Sequence, residues 1–335
     1  MNSLERVRRR LRGEAVDRAP NFDIYMTRAA HHVGRPLSQY YLDHRALVEA
    51  NLGVLEAFDL DIVQTLSDPY REAADMGLEV EFPEDDLPVR KKVLLEEPED
   101  LARLKRVAPS DGRRMSDRLD AVRTLVEKVG RDVVVMGWVE GALALACDVR
   151  GDTSLMLDLH DRPEWVEELL ELLVEQQITF AREQIALGAH MIGLGDAIAS
   201  LVSPKQYRQF ALPYEQRIFA AVKEAGAIPR LHICGDTNHL VEDMARSGAE
   251  IVDLDWMVDL ARAAEVFGDG PAPCGNFDPV EIMLRGTPDK VAHAARSCAA
   301  AGGPRHFSAA GCEIPDDTPD ANPLAHAATL RELGG

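Results

Sequence analysis

The chain has 335 residues, of which 46% are hydrophobic and 28% charged, and this composition is typical of a globular protein and excludes a fibrous or disordered one. Its formal net charge of −20 disfavours binding to nucleic acid or to an anionic membrane, because phosphate groups would be repelled. No apolar run reaches the roughly 18–20 residues of a membrane span and the polar start, residues 1–7, lacks the apolar core of a signal peptide, so we expect a cytoplasmic protein.

Short β-rich segments alternate with longer helical patterns along the chain, which is typical of parallel βα units. Several strand segments are apolar on both faces, as Asp132–Val139 shows, and this suits strands buried between a packed interior and outer helices. Ser203-Pro204 marks a helix start between two of them. The eight predicted strands are Asn21–Tyr25, Asp61–Thr65, Asp132–Val139, Met191–Gly195, Pro229–Cys234, Glu250–Asp255, Ala272–Phe277 and His306–Ala310. We therefore predict the α/β class and a TIM-like (β/α)8 barrel, as a single domain over residues 1–335.

The stretch from Pro69 to Pro109 departs from this alternation. It is acidic and interrupted by prolines. We interpret it as an insertion after strand two, a lid or a partner surface, without independent domain status.

The most informative segment for chemistry is Leu231–Asp236. Side chains two apart on a strand point to the same side, so His232 and Cys234 face one direction at the carboxyl end of strand five. Cys312 follows strand eight, and the carboxyl ends of all strands of a TIM barrel converge on one face. One histidine and two cysteines with an open fourth position are the pattern of a catalytic zinc. Packing explains a lone His-X-Cys equally well, since cysteine is commonly a small buried hydrophobe.

Polar residues at other strand ends are further candidates. Asp196 after strand four can bind a metal, orient the histidine or accept a proton, and Glu140 after strand three is another candidate for the fourth metal position. Asp255, Asn276 and Asp278 stand where a barrel positions its substrate. A helix cap for Asp196 and Asx turns for the other three remain open as alternatives.

A series of short motifs, taken in their order along the chain, resembles the uroporphyrinogen decarboxylase superfamily. The resemblance begins at Arg18-Ala19-Pro20 and is densest over residues 190–323. The motifs are Ser203–Phe210, Leu212-Pro213-Tyr214, His232-Ile233-Cys234-Gly235, Cys274–Pro279, Arg285–Pro288 and Gly311–Pro315. The branch with His-X-Cys and a late Gly-Cys-Glu-Ile-Pro is similar to corrinoid-linked methyltransferases, some of which use coenzyme M and others methoxylated donors.

The resemblance implies a zinc-dependent methyltransferase with the metal ligands His232, Cys234 and Cys312. It also implies that a methyl group moves between a small-molecule donor or thiol acceptor and a corrinoid (cobalamin). No Asp-X-His-X-X-Gly segment occurs in the chain, so we expect the corrinoid on a separate partner protein. The direction of transfer stays open, and so does the oligomeric state, with a homodimer as one option.

One departure weakens the decarboxylase alternative. The decarboxylases carry Arg-Gln-Ala-Gly-Arg after strand one to hold porphyrinogen carboxylates, whereas residues 26–32 here contain Arg28 as their one arginine or lysine. A metal-free lyase resembling the decarboxylases stays the second hypothesis, and a metal-handling protein without turnover the third.

Overall fold

The computed structural model describes residues 1–333, and one parallel sheet dominates it. Its strands are β1 (Ile62–Gln64), β2 (Glu79–Glu81), β3 (Val89–Lys92), β4 (Val134–Glu140), β5 (Met191–Gly195), β6 (Ile228–His232), β7 (Ile251–Asp253) and β8 (Ala272–Cys274). Six of them pair in parallel in the order β1-β4-β5-β6-β7-β8, while β2 and β3 form a separate antiparallel hairpin. Six of the eight predicted strands are thus confirmed in their predicted order.

The first and last predicted strands are extended segments that close the ring through single bridges. Asn21 pairs with Ser308, and Phe307 pairs with Cys274. The Phe22 amide donates to the Ser308 carbonyl at 2.9 Å, and the Asp61 amide donates to the Asn21 carbonyl at 3.1 Å. These backbone bonds join the last segment to the first and the first to β1, which confirms the TIM-like barrel.

Helices surround the ring, and the first of them packs Val7 against the interior cluster of the barrel. They are α1 (Ser3–Leu11), α2 (Thr27–His32), α3 (Leu37–Leu42), α4 (His44–Phe58), α5 (Arg71–Asp75), α6 (Arg113–Val129), α7 (Ala142–Arg150), α8 (Asp152–Asp161), α9 (Pro163–Ala186), α10 (Pro204–Phe210), α11 (Leu212–Glu224), α12 (Val241–Met244), α13 (Leu260–Phe267), α14 (Pro288–Gly302) and α15 (Ala321–Glu332). None of the helices formed by residues 1–333 is long and apolar enough to cross a bilayer.

Strand alternation divides the core into two parts. Along β4, Val134, Met136 and Trp138 belong to the cluster that fills the barrel interior, whereas Val135 and Val139 pack against the helices. Glu140, two residues after Trp138, therefore ends the inward-facing series at the mouth. The strand sequence itself thus sets which polar residues reach the site.

The predicted insertion is the segment that holds α5 and the β2–β3 hairpin, and His31 of α2 ties its loop to the barrel. One ring nitrogen of His31 lies 2.8 Å from Asp85 Oδ1 in the insertion, and the other lies 2.5 Å from Asp316 Oδ2, beyond the last barrel segment. Burial lowers the pKa of His31, but hydrogen bonds to the two carboxylates outweigh this effect and raise the pKa above 6.5. The imidazolium form satisfies both contacts.

Candidate metal centre

Three side chains meet at the carboxyl end of the barrel. His232 is the last residue of β6, and Cys234 follows it by two residues. Cys312 lies 80 residues after His232 in the chain, and its Sγ is 3.8 Å from His232 Nε2. The ligand atoms of His232, Cys234 and Cys312 all lie within 4.8 Å of one another. The structure brings together the three residues that the sequence analysis put forward as a group.

The turn that carries Cys312 is fixed by its backbone. The Gly311 amide donates to the Phe277 carbonyl at 2.9 Å, and the Ile314 amide donates to the Ile24 carbonyl at 2.8 Å. A Cβ at Gly311 would lie 2.4 Å from the Trp256 nitrogen, so this close approach requires glycine. Cys312 is therefore held between a hydrogen bond before it and one after it.

Asp253 orients the histidine. Asp253 of β7 is paired in register with His232, and its Oδ2 lies 2.9 Å from His232 Nδ1. Arg230 donates its Nε to the same carboxylate at 2.8 Å. This contact keeps a proton on Nδ1 and leaves Nε2 toward the cysteines, as metal-binding histidines require. The sequence analysis missed Asp253, although it stands two residues before Asp255 and so faces the same side of the strand.

The three side chains perturb the pKa values of one another. Burial lowers the pKa of His232, but hydrogen bonds to Asp253 and Cys312 outweigh it and raise the pKa to about 10. The hydrogen bond with Cys312 lowers the pKa of Cys234, whereas the same contact and burial raise the pKa of Cys312. The site thus favours the protonated form of His232 and makes Cys234 the more acidic of the two thiols.

The donor set and its spacing fit zinc. With Zn–S near 2.3 Å and Zn–N near 2.0 Å, a tetrahedral ion separates sulfur from nitrogen by about 3.5 Å. The observed distance of 3.8 Å between Cys312 Sγ and His232 Nε2 is close to that value. One imidazole and two thiolates leave a fourth position for another ligand, as catalytic zinc sites do.

Glu140 lies beside this cluster but outside it. Arg71 donates to Glu140 Oε1 at 2.6 Å, and Trp138 Nε1 donates to the same oxygen at 3.1 Å. Burial, together with the charge of Glu72, outweighs these contacts and raises the pKa of Glu140 to about 8. The charge of Glu140 acts in turn on Cys234, where it opposes the lowering of the thiol pKa. Glu140 is a carboxyl group that can change protonation state near neutral pH next to the donors.

The side chain of Asp196 points away from the His232, Cys234 and Cys312 cluster. Its Oδ1 accepts a hydrogen bond from the Ala144 amide at 2.9 Å, in the first turn of α7. Glu215 lies behind it on α11 and accepts a hydrogen bond from Tyr207 Oη at 2.5 Å. Burial raises the pKa of both carboxyls, for Glu215 to about 8. Asp196 follows inward-facing positions by one residue, so its side chain turns to the helix layer and binds the first turn of α7. It makes no cap hydrogen bond to the turn that follows it, residues 197–201, which was the alternative that the sequence left open.

The three candidate substrate residues hold loops together. Asp255 accepts hydrogen bonds from the Gly235 amide at 2.6 Å and the Trp256 amide at 2.7 Å. Asn276 donates its amide to the Asp255 and Val258 carbonyls at 3.1 and 2.7 Å. Asp278 caps the turn at residues 279–284, with its Oδ1 accepting two backbone amides. Asp255 is next to the site through Gly235, whereas Asn276 and Asp278 act on the surrounding loops.

Comparison with known proteins gives the family. The family model described as Uroporphyrinogen decarboxylase (URO-D) matches residues 2–333, and the chain belongs to that family. A methylcobamide:CoM methyltransferase, MtbA of Methanosarcina acetivorans, is 29% identical over 95% of this chain and 94% of its own. A uroporphyrinogen decarboxylase of Nostoc punctiforme is also 29% identical, over 97% and 95%. The solved structure of a methyltransferase from Methanosarcina mazei superposes with a TM-score of 0.89 at 26% identity and covers 99% of both chains.

Proposed function

We propose that this protein is a zinc-dependent, corrinoid-linked methyltransferase. It moves a methyl group between a corrinoid, carried by a partner protein, and a small-molecule donor or thiol acceptor. The observation that carries the proposal is the His232–Cys234–Cys312 cluster at the open end of the barrel, with its ligand atoms within 4.8 Å of one another. The methyltransferase relatives that cover almost the whole chain support the same reaction class.

His232, Cys234 and Cys312 would hold the zinc. When bound, zinc lowers the pKa of a coordinated thiol or polarises a coordinated oxygen, which activates the group that gains or loses methyl. Asp253 keeps the His232 proton on Nδ1, so that Nε2 is free to coordinate. Glu140, whose charge acts on Cys234, is our candidate for the group that takes up the proton that a thiol substrate gives up.

The mouth of the barrel offers the surface over which a corrinoid would approach. Leu201, Trp256 and Met257 are large apolar side chains with 68%, 49% and 39% of their surface exposed. The loop that carries Leu201 is next to Gly235, since a Cβ built at Gly235 would lie 3.2 Å from Ser200 Oγ. A Cβ built at Gly311 would lie 2.4 Å from the backbone nitrogen of Trp256. These residues therefore flank the cluster on two sides, and exposed apolar side chains of this size favour an interaction surface.

The decarboxylase alternative is supported by relatives of equal identity, but the site argues against it. Arg28, the one arginine or lysine in residues 26–32, donates to the Asp316 carbonyl and to the Asp320 carboxylate. This guanidinium is already engaged and does not offer a free group for porphyrinogen carboxylates. A metal-free lyase also gives no role to two thiols facing one imidazole.

We further propose that the chain works as one domain over residues 1–335 in the cytoplasm, without nucleic-acid or membrane partners. The net charge of −20 supports the exclusion of polyanions. The proposal leaves the state of assembly to experiment, with a homodimer as the first alternative to a monomer.

Metal content and methyl transfer test the proposal together. The purified chain is expected to hold about one zinc per chain and to methylate coenzyme M from free methylcobalamin. Cys312→Ser is expected to lose both properties. Cys298→Ser is the matched control, because Cys298 is a half-buried cysteine on α14 outside the cluster. A wild-type protein that releases carbon dioxide from uroporphyrinogen, holds no zinc and transfers no methyl group would establish the alternative.

A further inference from the structure

Three buried polar side chains form a chain of hydrogen bonds behind the metal centre. Ser308 Oγ lies 2.8 Å from His326 Nε2, and His326 Nδ1 lies 2.7 Å from Asp23 Oδ2. Ser308 and His326 are fully buried and Asp23 is 2% exposed. The group joins α15 to the first and last segments of the barrel ring.

The order serine, histidine, aspartate is that of a hydrolase triad, but the burial excludes this role. A nucleophile must reach its substrate, and Ser308 has no exposed surface. His326 also packs edge-on against the Phe277 ring, with 5.1 Å between centroids and 86° between planes. Burying polar side chains costs desolvation that their hydrogen bonds largely only offset, so the presence of this group calls for another explanation.

The second oxygen of Asp23 supplies that explanation. Asp23 Oδ1 accepts a hydrogen bond from the Ala310 amide at 2.9 Å, two residues before Cys312. The neighbouring residue Ile24 accepts the Ile314 amide through its carbonyl, two residues after Cys312. The segment around Asp23 therefore holds the Cys312 turn from both sides. Without His326 as a partner for Oδ2, the Asp23 carboxylate could rotate, and Oδ1 would no longer be held toward the Ala310 amide.

We propose that His326 of α15, acting through Asp23, is a positioning residue for the metal ligand Cys312. His326 fixes the rotation of the Asp23 carboxylate, and the carboxylate fixes the backbone on which the thiol is mounted. The last helix of the described chain thereby contributes to metal affinity from outside the site. This inference rests on the proposed function, because it requires that Cys312 binds zinc.

Two amide substitutions of His326 separate positioning from general stability. The side-chain nitrogen of Asn takes the place of Nδ1 and keeps a donor toward Asp23, whereas that of Gln takes the place of Nε2 and keeps a contact only with Ser308. His326→Gln is expected to lower zinc affinity about 10- to 100-fold, as loss of a supporting partner does. His326→Asn is expected to stay within about threefold of wild type.

The measurements are zinc affinity by competition with a chromophoric chelator, and the sulfur-to-metal charge-transfer absorption of the cobalt(II)-loaded chain. His326→Gln is expected to weaken this absorption, because one of two thiolates is displaced. Leu330→Ala, which truncates a fully buried side chain on the same helix, is the stability control and is expected to leave zinc affinity unchanged. If His326→Gln does not fold, Asp23→Ala replaces it, and the affinity must fall by at least the same factor.

Equal zinc affinity and equal cobalt spectra for the Asn and Gln variants would overturn the inference while leaving the methyltransferase proposal intact. So would a loss of affinity in Leu330→Ala that matches the loss in His326→Gln. A wild-type chain that binds no zinc would instead remove the metal centre itself, and the positioning role with it.

Discussion

Asp253→Asn tests the orientation of His232 most directly. In the wild type, Arg230 donates a hydrogen bond to the Asp253 carboxylate at 2.8 Å. The amide oxygen of the variant can still accept this bond. Its nitrogen is a donor, however, and cannot accept the Nδ1 proton of His232, 2.9 Å from Oδ2 in the wild type. The histidine then favours the tautomer with the proton on Nε2, the atom that faces Cys312. Zinc affinity is expected to fall about 10- to 100-fold, which corresponds to about 1.4–2.8 kcal/mol.

The assay is equilibrium competition for zinc at pH 7, with the free energy of unfolding measured on the same samples. Asp158→Asn is the matched control, because Asp158 is a buried carboxylate that accepts a hydrogen bond from Arg150 at 2.7 Å, outside the donor cluster. Both variants are expected to lose folding stability, and only Asp253→Asn to lose zinc affinity. If Asp253→Asn binds zinc within about twofold of wild type, the assignment of the tautomer to Asp253 is wrong.

Three further changes test other parts of the structure. Burial raises the pKa of Glu215 from 4.5 to about 8, so between these pH values the folded chain holds a proton that the unfolded chain has lost. The free energy of unfolding therefore falls as pH rises from 5 to 8. Glu215→Gln should flatten this dependence, as measured by urea unfolding. Asp85 and Asp316 raise the pKa of His31 above 6.5, so the stabilisation by His31 is complete below pH 6.5 and is lost as pH rises through the higher pKa. The difference in free energy of unfolding between wild type and His31→Gln should therefore shrink as pH rises. A difference that stays constant with pH would contradict this account. Trp256→Ala should raise the KM for methylcobalamin about three- to tenfold while zinc content stays constant, and an unchanged KM would exclude the proposed mouth surface.

The fold followed from the sequence to a large extent. Strands apolar on both faces, such as residues 132–139, belong to parallel sheets covered by helices, and the six regular strands were found in place and order. The predicted first and last strands are joined by single bridges, and only the closed ring shows how they complete the barrel. Pairing between residues this far apart depends on the shape of the whole sheet, which no local pattern encodes.

The candidate site divides in the same way. Strand alternation suggested the pairing of His232 with Cys234, although β6 ends at His232 and Cys234 lies just beyond it. The convergence of strand ends in a TIM barrel suggested Cys312 as the third member. Alternation also argues against Asp196, since it follows inward-facing positions by one residue, and the structure gives it the Ala144 amide as its partner. The sequence analysis kept Asp196 among the candidates for metal binding or proton transfer because it did not apply this rule to that position.

The sequence by itself determined the class of fold, the face of the barrel that carries the candidate site and the three side chains that we propose as metal ligands, because these depend on periodicity and on side-chain type. The tertiary structure alone decided which carboxylate supports the histidine, since Asp253 reaches His232 through the register of two neighbouring strands. It also decided that His326 lies behind Cys312, because a helix packs where the closed ring leaves space for it. Hydrogen bonds between side chains require distances that only packing sets, whereas the pattern along a strand is fixed by the backbone.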